Sequence, residues 1–250
     1  MDIVATDKGT GTALPKWEFR DLFLVFLTIF CLITGLNILL TIFDASQFFD
    51  KSKYKSLITL CLFVVQEIIF IAPLYFHVIK KYKLNFAALG FLKIKVWEAA
   101  KWIFKAYGIV IIINIFLAII IRQLGYFPPG FGLQDSHMPI FGSSGFDISI
   151  AVIVLVFIAP IAEEILFRGF LLPTLLMKFQ PVLASLLSAA LFALIHMEFE
   201  SMGMMMILAL VLNWLFLRSK SIWPCIIFHM INNALAFSLE ILVWSGYLQV

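Results

Sequence analysis

Two adjacent carboxylates, a guanidinium, two imidazoles and an amide stand in the last third of this 250-residue chain, all inside apolar runs. Glu163, Glu164 and Arg168 fall within Ala159–Gly169. His196 closes the run Phe192-Ala193-Leu194-Ile195-His196, and His229 precedes Asn233 by four residues in the last apolar segment. Ionisable side chains buried in a bilayer are rare and costly, so by default they mark a functional site. Glu164 and Arg168, four residues apart, share a helix face and can pair. Glu163, turned by about a quarter of the circumference, is then the carboxylate without a cation of its own, and it is the candidate general base or metal ligand. His229 and Asn233 also share a face and can donate hydrogen bonds to a developing oxyanion.

Two chemistries follow from Glu163, His196 and His229 facing one cavity. They could hold a zinc ion with an open position for water, or they could activate water with no metal. A base, a water and oxyanion donors within a membrane point to hydrolysis of a peptide bond in or near the bilayer. Against this stands a structural account, in which a Glu–Arg pair and scattered histidines only join helices. The clustering of all these groups after residue 150 favours the functional account. An HExxH zinc helix, a GxSxG serine elbow and a Walker loop are all absent from the sequence.

The elements that must position these groups are membrane helices. The chain is 63% hydrophobic and 13% charged, about half the charged fraction of a soluble domain. Several apolar windows reach the ~20 residues needed to cross a bilayer. Their length and uniform apolarity exclude the alternating strands of a barrel. An all-α, polytopic transmembrane bundle of about seven spans is expected: Leu22–Phe43, Leu57–Ile79, Trp102–Ile121, Ile148–Lys178, Val182–Phe199, Met202–Leu217 and Ile222–Trp244. Residues 1–21 read as a cytoplasmic tail, 22–147 as N-terminal membrane helices and loops, and 148–250 as the catalytic helices. Pro160 would kink the fourth span just before the carboxylates. Phe86–Phe91, too short to span, is expected to lie along the interface. Arg122–Asp147 is a long Gly/Pro-rich loop able to cover the mouth of the bundle, with His137 as a solvated loop histidine. Gln66 and Glu67, in the middle of the second span, either line the cavity or are a pair satisfied within the bundle. Asn114, Asn213 and Glu240 read as helix glue or boundary residues.

With the N-terminus in the cytoplasm, thirteen of the eighteen lysines and arginines fall on the cytoplasmic side, as the positive-inside bias requires. The lysine-rich stretches are therefore topology signals rather than a nucleic-acid surface. Localisation in the cell membrane, with lipid and a membrane-associated peptide or protein as partners, is expected. Cys31, Cys61 and Cys225 are an odd number in apolar runs, which argues against a disulfide framework.

Three stretches together, Glu163-Glu164-Ile165-Leu166-Phe167-Arg168, Phe192–His196 and His229–Asn233, resemble the signature EExxxR, FxxxH and His…Asn of the CPBP family of intramembrane proteases. That family includes CAAX prenyl protease 2 and bacterial relatives also called Abi proteins. The resemblance covers about Ile148–Ala236. It implies that Glu163 and His196 activate water, that His229 and Asn233 stabilise the oxyanion, and that Glu164 and Arg168 support them. The family is catalogued as metalloproteases, with zinc as the expected ion on Glu163, His196 and His229, while a metal-free glutamate mechanism has also been proposed for it. It implies a prenylated or bacteriocin-like substrate. The alternative is a non-proteolytic scaffold or self-immunity protein that keeps the fold.

Overall fold

The structure, a computed structural model, describes residues 15–44, 52, 54–132 and 134–248. Most of the expected tail, and Lys51 and Lys53, lie outside these. The described residues are helical, without strands. Six helices are long and apolar enough to cross a bilayer: α1 (Phe19–Ile42), α2 (Lys55–Lys80), α3 (Val96–Leu124), α4 (Gly145–Leu176), α6 (Met202–Ser219) and α7 (Trp223–Trp244). Between α4 and α6 lies the shorter α5 (Pro181–Ile195). The chain is a multi-pass membrane protein, as its composition predicts.

One expectation needs correction. The fifth segment stops at Ile195, and His196 is its C-cap. Met197 follows in the left-handed region at φ 55°, which ends the helix without a Gly or Pro to announce it. At 1.5 Å per residue its 15 residues rise about 22 Å, less than the ~30 Å hydrocarbon core. His196 therefore sits at a helix end rather than along a span.

The chain divides into two compact units, each assembled from three stretches. The first comprises the described residues up to Phe19, with Asn85–Asp135 and Phe167–Phe228. In it α6 packs on both α5 and α3. Phe167, Phe170, Phe192 and Leu212 are fully buried. The Phe86–Leu89 turn, expected along the interface, packs on α4. Leu89 is buried, and a Cβ on Gly169 would stand 3.0 Å from its carbonyl oxygen. The missing side chain of Gly169 is what lets the turn dock on α4. Ile222 N–H donates to the Gly90 carbonyl at 2.8 Å, which ties the same turn to the start of α7.

The second unit comprises Arg20–Leu84, Ser136–Leu166 and His229–Val250. Here α2 packs along the first half of α4. Ser144 and Asp147 form a reciprocal capping box at the start of α4, and Ser56 of α2 donates to the Asp147 carboxylate. Asp21, fully buried at the start of α1, accepts from Lys81 Nζ at 2.7 Å and Tyr82 Oη at 2.8 Å. That pairing holds the Lys81 ammonium above the usual lysine range, chiefly through the hydrogen bond to Asp21. His137 is no free loop histidine: its Nδ1 lies 2.9 Å from Glu240 Oε2. Glu240 also accepts from Ser136 Oγ and the backbone N–H of His137, so one carboxylate of α7 pins this part of the long loop.

Candidate functional site

Helix α4 owes its shape to two stretches of wide, π-helical turn, Val152–Ile158 and Ile165–Leu171, flanking the α-helical Ala159–Glu164. Such bulges are frequent at functional sites. In the first stretch the backbone bonds run five residues back: Ala159 N–H donates to the Val154 carbonyl. The next donor in that ladder would be residue 160, reaching the Leu155 carbonyl. Residue 160 is proline and has no N–H to give. Asn233 fills the gap, donating its Nδ2 to Leu155 O at 2.9 Å. An amide on α7 thus replaces the backbone donor that Pro160 removes.

One turn earlier on α7, His229 is clasped by the two adjacent glutamates of α4. Its Nδ1 lies 2.9 Å from Glu164 Oε1 and its Nε2 lies 3.7 Å from Glu163 Oε2. A carboxylate only accepts, so Nδ1 carries its proton toward Glu164 and the Nε2 edge faces Glu163. Burial separates the two acids: the Glu164 side chain is fully buried, whereas Glu163 keeps 14% of its surface. Glu163 is the one of the two carboxylates that keeps open surface. The Glu164–His229 bond joins α4 to α7.

In the first unit, Arg168 is fully buried. Its Nε donates to Asn213 Oδ1 at 3.1 Å and its Nη2 to the Ala209 carbonyl at 3.0 Å. The guanidinium also lies over the Phe192 ring, 4.9 Å from its centroid. Asn213 donates in turn to the Ser185 carbonyl, so Arg168 and Asn213 link α4, α5 and α6. Phe192 has a second task. Its carbonyl receives His196 Nδ1 at 2.8 Å, which places the imidazole lone pair on Nε2. The spacing FxxxH thereby acquires a physical reason: residue i supplies the carbonyl that fixes the tautomer of residue i+4.

Residues 145–235 match the family model described as type II CAAX prenyl endopeptidase Rce1-like. The chain is similar to that family over this segment. No curated protein and no solved structure matches the chain. The matched segment opens at the first residue of α4 and contains all six candidate residues. Within one unit the matched segment brings Glu163, Glu164, His229 and Asn233 together. Arg168 and His196 belong to the other unit.

Among the described residues, no group of three His, Cys, Asp or Glu side chains stands ready to hold a metal ion. The pair Glu163 Oε2 and His229 Nε2 does fit two positions of a tetrahedral ion. Ligand atoms of such an ion stand about 3.4 Å apart at zinc bond lengths, close to the 3.7 Å seen. Glu164 on Nδ1 is the outer carboxylate that metal-bound histidines commonly carry. Phe192 as the carbonyl acceptor for His196 was not legible because every residue type offers a carbonyl, whereas Asn213, read as helix glue, does join helices through Arg168 and Ser185.

Proposed function

We propose that the chain is an intramembrane endopeptidase that hydrolyses a peptide bond of a membrane-associated substrate. Glu163, with His196, takes the proton from the attacking water. His229 and Asn233 donate to the oxyanion of the tetrahedral intermediate, and Glu164 and Arg168 hold the site in place. The observation that carries this reading is the clasp of His229 by two adjacent glutamates of which only Glu163 keeps open surface, inside the segment matched by the CAAX endopeptidase model. Glu164 stabilises positive charge on His229 as its Nε2 turns toward the reacting centre. Asn233 spends one N–H on Leu155 and has a second on the same nitrogen for the oxyanion. Were zinc bound, Glu163 and His229, with His196 as the resemblance implies, would hold it, and the ion would supply a water of lowered pKa.

Wild type and Glu163→Ala are to be expressed in the host, and new peptide termini in the membrane fraction compared by mass spectrometry. Termini produced only by the wild type are expected. Equal termini from two folded, equally abundant proteins would overturn the reading in favour of a scaffold. Chelation of the purified enzyme separates the two chemistries: zinc-restorable loss assigns the metal route, and unchanged activity assigns the glutamate route.

A further inference from the structure

A groove of about 540 Å³ runs between α2 and the stretch of α4 that ends at the catalytic glutamates. Its α4 wall is Ile158, Ile161, Ala162 and Ile165, one face of the helix, and Glu163 is the next residue along. The α2 wall, Val64 to Phe76, is apolar and aromatic except for Glu67. Glu67 is 7% exposed. Its Oε2 is buried and makes no hydrogen bond among the described residues. The sequence left two accounts of this residue open, and its companion Gln66 lines a different pocket, beside α1. The pair does not satisfy itself.

A buried carboxyl oxygen without a donor is costly, and a donor brought by a bound chain would offset that cost. We propose that this groove holds an extended segment of the substrate chain, and that Glu67 accepts a hydrogen bond from one of its backbone N–H groups. The proposal rests on the endopeptidase reading. A peptide bond becomes open to attack only where the substrate is not helical, and there its N–H groups need acceptors that lipid does not offer. Glu67 supplies one in an otherwise apolar groove beside Glu163. A lipid acyl chain could fill the same walls but would leave the Glu67 oxygen unsatisfied.

The experiment places the photo-reactive residue benzoylphenylalanine at position 71, on the groove wall, in full-length Glu163→Ala in host membranes. Adducts are sorted by mass into peptide and lipid. Peptide adducts are expected, reduced about tenfold or more by Glu67→Leu and retained by Glu67→Gln, whose amide oxygen still accepts. Glu67→Leu should also raise the thermal midpoint, because it removes a buried unpaired acid. Lipid adducts alone, peptide adducts indifferent to Glu67→Leu, or a lowered midpoint in Glu67→Leu would each overturn the proposal. Glu67-dependent peptide adducts without any terminus difference between wild type and Glu163→Ala would overturn the proteolytic reading and leave the groove standing. Terminus differences without peptide adducts would do the reverse.

Discussion

Asn233 is asked to do two things, and a double-mutant cycle with Pro160 separates them. Its Nδ2 bonds the Leu155 carbonyl at 2.9 Å, the acceptor left over because residue 160 lacks an N–H. Asn233→Ala therefore orphans a carbonyl in the middle of a membrane helix, a loss of about 1–3 kcal/mol. In a Pro160→Ala background the backbone supplies its own donor, and the same substitution should cost only a few tenths of that. The expected coupling is about 1–2 kcal/mol, well above the scatter between independent sites. Unfolding of all four proteins in detergent micelles measures it. Activity is expected to behave differently. Removing an oxyanion donor costs about 10²–10³ in kcat, and restoring a helix bond does nothing for the oxyanion, so Asn233→Ala stays impaired in both backgrounds. Equal destabilisation in the two backgrounds would refute the assignment of the Leu155 carbonyl to Pro160. Recovery of kcat in the double mutant would refute the oxyanion role and leave Asn233 as a residue that only positions α4.

Two further substitutions probe the surroundings of the site. Glu164→Gln keeps an acceptor for His229 Nδ1 but removes its charge; since hydrogen bonds to charged groups are worth about 1 kcal/mol more than neutral ones, kcat should fall roughly tenfold with the fold intact, and an unchanged kcat in steady-state cleavage would remove the clasp from the mechanism. Gly169→Val drives a side chain into the Leu89 carbonyl, 3.0 Å from where its Cβ would sit, and should lower stability by about 1–3 kcal/mol, read as a drop in thermal midpoint; no drop would mean that the Phe86–Leu89 turn does not depend on close approach to α4.

The helical class and the identity of the polar groups were readable because a bilayer leaves few ways to place either. Twenty apolar residues in a row dictate a helix, and an acid among them demands a reason. What could not be read is which side of each helix faces inward. In a soluble helix polar residues mark the outer face, but α4 and α5 are apolar on every side, so periodicity carries no direction. The pairings chosen by Glu164, Arg168 and Asn233 were invisible for that cause. Sequence spacing offered Glu164 a neighbour on its own helix, and the structure adds His229 on α7. Asn233 looked like a donor aimed at a substrate, because nothing local shows that a proline 73 positions earlier in the chain leaves a carbonyl in need of one. The end of α5 was hidden too: Met197 breaks the helix through a positive φ that its residue type does not advertise. Glu67 shows the converse. Composition marked it as out of place in α2, and only the packed groove decides between a partner inside the bundle and one that arrives with the substrate.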